Sequence, residues 1–130
     1  MGLRWSLGLA LLLGAVTASW AESEFPFEGE LILDVRPMPG SKRIPNMDIA
    51  ADGKIALEMW CNSVDGQVVV AGDTITVVTG TPTTRDCPPE RAQRDNELLD
   101  ALAGVTNWKR NGDLVQFIGP KPLRFRVPTN

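Results

Sequence analysis

The chain has 130 residues, a formal net charge of −3, no histidine and two cysteines, which leaves room for one domain with one core. The missing histidines remove the commonest general base and the commonest metal ligand. A mildly acidic chain without a basic run argues against nucleic acid or an anionic membrane surface as partner.

The N-terminus opens with Arg4 as its only charge, and Trp5 to Val16 is apolar apart from Ser6 and small residues. Ser19-Trp20-Ala21 then places small residues at the two positions a signal peptidase inspects. Residues 1–21 therefore read as a secretory signal peptide cleaved after Ala21. The apolar run falls short of the roughly 20 residues that a membrane span needs. No stable span is expected after cleavage, and the protein is expected to be periplasmic or secreted. In that oxidising compartment Cys61 and Cys87 are most simply a disulfide.

Residues 22–28 read as a short lead-in to a single domain over residues 29–127. Gly29 to Val35 alternates, with Leu31, Leu33 and Val35 on the core side of a strand. Pro37, Pro39 and Pro45 with Gly40 make residues 36–46 a loop. Met47–Ala50 and Lys54–Cys61 flank Asp52-Gly53, a two-residue hairpin signal. The returning strand sends Ile55, Leu57, Met59 and Cys61 to the core and Lys54, Glu58 and Trp60 to the other face. Asn62 to Gly66 reads as a turn, and Gln67–Val70 and Thr74–Val78 as a second hairpin around Ala71-Gly72-Asp73.

One segment is helical. After Asp86 and Cys87-Pro88-Pro89-Glu90, Arg91 to Ala103 contains no glycine, proline or β-branched residue. Proline is tolerated in a first helical turn, acids there suit the helix dipole, and Gly104 stands where a left-handed C-terminal residue belongs. The stripe Ala92, Leu99, Leu102 and Ala103 is expected to pack down. Val105–Arg110 and Asp113–Ile118 flank Asn111-Gly112, pairing Arg110 with Asp113, Trp108 with Val115 and Thr106 with Phe117. Leu123–Val127 alternates as a last strand. Hairpins, one helix, then hairpin and strand give an α+β fold, an antiparallel sheet or open barrel with one helix packed on it.

The chemistry available is thin. Ser23, Ser41 and Ser63 stand in no nucleophile-elbow context and have no histidine to activate them. Two cysteines alone do not make a zinc site. No phosphate-cradling loop or dinucleotide fingerprint occurs. No catalytic residue, metal or cofactor is expected, so the chain reads as no enzyme. Asp86 and Glu90 read as helix-start acids. Cys87 at a helix N-terminus has a competing reading as a low-pKa reactive thiol, outweighed by Cys61 as partner. Trp60 has two readings: covered by the helix, or an exposed aromatic in a binding surface. With Asn62, Arg85, Arg91 and Arg94 it forms a candidate surface whose arginines suit an acidic partner, although a solvated helix face is the plainer reading of such a run.

Several ordered segments resemble one family. They are Trp60-Cys61-Asn62-Ser63-Val64-Asp65-Gly66, Gly72-Asp73-Thr74-Ile75, Thr83-Thr84-Arg85-Asp86-Cys87-Pro88, Glu97-Leu98-Leu99-Asp100-Ala101-Leu102 with Trp108, and Gly112-Asp113-Leu114 through Leu123-Arg124-Phe125. The set is similar to the META domain family, also called HslJ-like, over roughly Gly29 to Val127. The resemblance implies a small exported or envelope-associated domain without enzymatic activity. Some members are linked to heat shock and novobiocin tolerance, and the fold is similar to that of a lipid-binding pilot protein of secretion systems. The expectation is a monomeric, non-catalytic envelope protein that supports stress tolerance by binding a protein partner. The alternative is a carrier of a lipid or other apolar ligand inside an open barrel. A weaker one is a protease inhibitor presenting the loop Pro39 to Pro45.

Overall fold

The computed structural model describes residues 24–129 together with Gly2, Gly8 and Gly14; the expected signal peptide lies outside the described residues. Eight strands follow one another around a closed antiparallel barrel. They are β1 (Gly29–Leu33), β2 (Asn46–Ile49), β3 (Lys54–Glu58), β4 (Ser63–Ala71), β5 (Thr74–Thr79), β6 (Asn107–Asn111), β7 (Leu114–Ile118) and β8 (Leu123–Arg126), with α1 (Pro89–Ala103) between β5 and β6. No helix among the described residues is long and apolar enough to cross a membrane.

The barrel is closed where an antiparallel sheet or open barrel was expected: β1 pairs with β8 through Ile32–Arg126 and Leu33–Phe125. Eight strands enclose a space just wide enough for side chains to fill. Leu31, Met47, Leu57, Val115, Phe117 and Phe125 fill it, all fully buried, with the Phe117 and Phe125 rings 4.9 Å apart. Closure joins the first strand to the last, and local hairpin signals carry no trace of that pairing.

The weakest seam lies between β5 and β6, which share the single register pair Thr74–Asn107. Ile75 N–H donates to Thr106 O at 3.0 Å and Trp108 N–H to Asp73 O at 2.9 Å on either side of it. On one side of this pair α1 packs against β5. On the other, Phe25 meets Trp108 edge to face at 5.2 Å and stacks on Phe117 at 6.3 Å between centroids, and Arg110 Nη1 donates to Glu24 O at 3.0 Å. Within the segment expected as a lead-in, Phe25 and Pro26 are buried.

Three turns differ from expectation. Ile49 pairs with Ile55, Gly53 N–H donates to Ala50 O, and Gly53 alone has positive φ, at 86°. That is a three-residue loop ending in a glycine bulge rather than a two-residue turn on Asp52-Gly53. At the later hairpin Asn111 pairs with Leu114, so the loop is Gly112-Asp113 with Gly112 at φ 62°. Trp108 consequently faces Phe117 instead of Val115, and Arg110 faces Val115 instead of Asp113. The pairing has slipped by two residues, which preserves the inward and outward faces.

Asn62 to Gly66 is no turn either. The chain reverses over Met59 to Asn62, where Met59 N–H donates to Asn62 O at 2.9 Å, and Ser63 already opens β4. Gly66 sits in the strand because a Cβ there would lie 2.3 Å from Val78 O. Gly66→Ala should destabilise the protein by about 3 kcal/mol, the cost of forcing backbone apart in a packed wall. Gly112→Ala, with open space around it, should cost only the left-handed penalty of about 1 kcal/mol. Urea midpoints of the two variants check the order.

The buried face of the helix overlaps the expected stripe at Leu102 but is otherwise rotated from it. Asp95, Leu98, Ala101 and Leu102 are buried, whereas Ala92 and Leu99 are half-buried and Ala103 is exposed. No side chain caps the N-terminus, and Gly104 is right-handed at φ −94°. Its N–H closes a tighter bond to Ala101 O at 3.2 Å, so the helix ends without the left-handed residue anticipated.

Candidate functional site

After Glu58 the chain leaves strand geometry, so alternation no longer drives Trp60 outward. Trp60 is 6% exposed and shares one cluster with Leu98 and Leu102. The reading of it as an exposed aromatic is thereby corrected. Cys61 and Cys87 form the expected disulfide, with Cα atoms 6.0 Å apart.

The neighbours of this bridge form a hub. Asn62 Oδ1 accepts from Arg85 N–H at 2.7 Å and from the Thr83 hydroxyl at 3.0 Å. Asn62 Nδ2 donates to Cys87 Sγ at 3.4 Å. Ser63 N–H donates to Thr83 Oγ1 at 3.0 Å and Thr83 N–H to Ser63 O at 2.9 Å. The Asp95 carboxylate, 3% exposed, accepts Cys61 N–H at 3.1 Å and Asn62 N–H at 2.7 Å. Arg85 Nη1 reaches Cys61 O at 3.3 Å. Among the described residues, every hydrogen bond from segment 83–95 to the barrel ends on residues 61–63, apart from Arg91 Nη2 to Gly40 O at 3.3 Å.

The structure brings the residues singled out from sequence together only in part: Trp60 and Arg94 line one groove, while Asn62 and Arg85 meet beside the bridge. Asn62 is an internal clip whose amide is spent on the 83–87 loop. Arg85 backs the Cys61 carbonyl, and Arg91 fastens α1 to the proline-rich loop. Arg85 and Arg94 are both exposed, and Arg94 lines a groove. Asp95 is not among the residues singled out from sequence, although a carboxylate one turn before Leu98 and Leu99, inside an apolar stripe, is a legible signal of an internal acceptor.

Arg94, Leu98 and Ala101, at i, i+4 and i+7, give α1 a second face. It looks across a groove of about 630 Å³ to the end of β1 and the β7–β8 hairpin. Trp60, Leu33, Leu98 and Ala101 form its buried floor, while Val35 and Ile118, at 43% and 42% exposed, form an apolar rim. Arg124 Nε pairs with Asp34 Oδ2 at 3.0 Å. Arg94, Glu97 and Lys121 stand at the edge without an ion pair among the described residues. A smaller depression of about 450 Å³ lies on the outer wall of β2–β4, where Ala56 and Gly66 leave a dip between Asp48 and Asp65. Among the described residues no group of three or more Cys, Asp or Glu side chains is placed to hold a metal ion. Apolar walls with a few charged corners suit recognition of a ligand or chain segment.

No curated protein matches the chain. Two solved structures share its fold. One protein, known from its NMR structure, is 17% identical with a TM-score of 0.60, over 77% of this chain and 89% of its own. A DUF4847 family protein from Bacteroides vulgatus ATCC 8482, known from a crystal structure, is 15% identical with a TM-score of 0.54, over 66% of this chain and 60% of its own. At such identities the likeness concerns the fold alone. The family model described as META domain matches residues 15–122, a span that takes in the whole 61–63 hub and the helix it holds; the chain belongs to the META domain family.

Proposed function

We propose that this chain is an exported, non-catalytic binding domain that supports envelope stress tolerance by docking a protein partner in the groove between α1 and the barrel end. The observation that carries the reading is the groove itself: a buried apolar floor with exposed Val35 and Ile118 at its rim. Such a patch takes apolar side chains of a partner. Arg94 and Lys121 outnumber Glu97 at its edge and favour an occupant with an acidic side chain beside the apolar ones, since a charged rim steers and selects a complementary partner. A ligand inside the barrel is disfavoured, because it would have to displace Phe117, Phe125 and Met47, all fully buried.

Native mass spectrometry of the protein gently extracted from its envelope tests this. A stoichiometric protein partner is expected on the wild-type chain and on Val69→Asp, a change on the far wall at a residue 58% exposed. Ile118→Asp and Val35→Asp should each lose it. A partner retained by both groove variants, or a lipid-sized mass in its place, would dismiss the reading.

A further inference from the structure

The Trp60 part of the groove's floor and the start of its helical wall are joined covalently. Trp60 in the floor directly precedes Cys61, and Cys87 lies two residues before the start of α1. The disulfide therefore ties the floor to the beginning of the wall. The hydrogen bonds that reinforce this tie converge on the same three residues, 61–63, with Arg91 to Gly40 the one exception among the described residues. At its far end α1 runs through Gly104 towards β6, which holds β5 by one register pair. The wall is thus a flap, fastened over its first two turns, as far as Asp95, and joined to the barrel beyond that through side-chain packing.

Resting on the docking reading above, we infer that the Cys61–Cys87 bridge regulates the groove. With the bridge formed, α1 is held over Trp60 and the groove has its wall. A dithiol reductant opens the bridge by thiol–disulfide exchange: it gives two electrons and two protons, leaving two thiols on this chain and a disulfide on itself. Both cysteines are half-buried beside the exposed run Thr83 to Asp86, so an attacking thiolate has a way in. Once the bridge opens, the flap becomes a separate unit of lower stability than the barrel, as an element held by few long-range links does. Docking is lost with it.

Hydrogen exchange read by mass spectrometry on the full chain, oxidised and in dithiothreitol, tests the flap. In the oxidised chain α1 and residues 59–62 should be protected together with the strands. On reduction their protection should fall at least about tenfold further than that of β1, β7 and β8, the signature of local opening. The same pattern is expected in Cys87→Ser without reductant. Parallel loss of protection in α1 and these strands overturns the inference, whether the chain loosens or unfolds altogether. An envelope partner still captured by the reduced chain overturns the regulation even if the flap is released. Capture by Ile118→Asp instead removes the docking reading and leaves the released flap standing, so the two failures are distinguishable.

Discussion

Reducing Cys61–Cys87, or replacing Cys87 by serine, should lower the unfolding free energy by about 3.5 kcal/mol on the chain-entropy account of cross-linking. The bridge joins residues 26 apart, and the loop it closes contains β4 and β5, half of the wall that meets the weak seam. For a domain of this size the loss corresponds to a thermal midpoint lower by about 15 °C. It would also consume a large share of a total stability that is typically about 5–15 kcal/mol. Thermal unfolding with and without dithiothreitol measures it. Cys61→Ser, Cys87→Ser and the double variant should fall together, because each removes the same cross-link and the effects do not add. A midpoint that ignores reductant would mean that the bridge constrains nothing the unfolded chain explores.

The second large effect is expected at Asp95. Its carboxylate is buried inside the helix face and is the acceptor for the N–H groups of Cys61 and Asn62. Removing one partner of a buried hydrogen bond leaves the other with its full desolvation cost, about 1–3 kcal/mol for each group. Asp95→Ala should therefore cost about 3 kcal/mol. Asp95→Asn keeps one oxygen acceptor but loses the charge that strengthens such bonds about twofold, so a smaller loss of about 1 kcal/mol is expected. Denaturant unfolding of both variants gives the numbers. Crossed with Cys87→Ser, Asp95→Ala should show coupling, since both act on residues 61–62. A cost for Asp95→Ala within about 0.5 kcal/mol, the range of ordinary surface changes, would show that the hub does not depend on this carboxylate.

Much of the fold was legible locally. Period-two alternation marked Leu31 and Leu33, Ile55 and Leu57, and Val115 and Phe117 as core, and all six are buried. The register slip at Gly112-Asp113 left these faces intact because side-chain direction repeats every two residues. The helix was marked by its composition and prolines, and the disulfide by compartment and count. The site was much less legible. Asn62, Arg85 and Arg91 looked like surface chemistry, since nothing local shows that an amide or guanidinium is already occupied by a loop more than 20 residues away. Alternation would point Trp60 outward only if the strand continued past Glu58, where it ends.

By itself, then, the sequence determined the elements, the inward faces of most strands, the cross-link and the absence of histidine chemistry, all of which depend on composition or on spacing within a few residues. Tertiary structure decided the rest. It closed β1 on β8, brought Phe25 back over Trp108 and Phe117, turned Gly66 from a turn residue into a strand contact, and sank Trp60 beneath α1. Each of these joins residues far apart in the chain through steric fit or hydrogen bonding. A local pattern of side-chain types carries no signal for such contacts. The groove belongs to this second group, since its floor, helical wall and rim come from segments that only the closed barrel brings together.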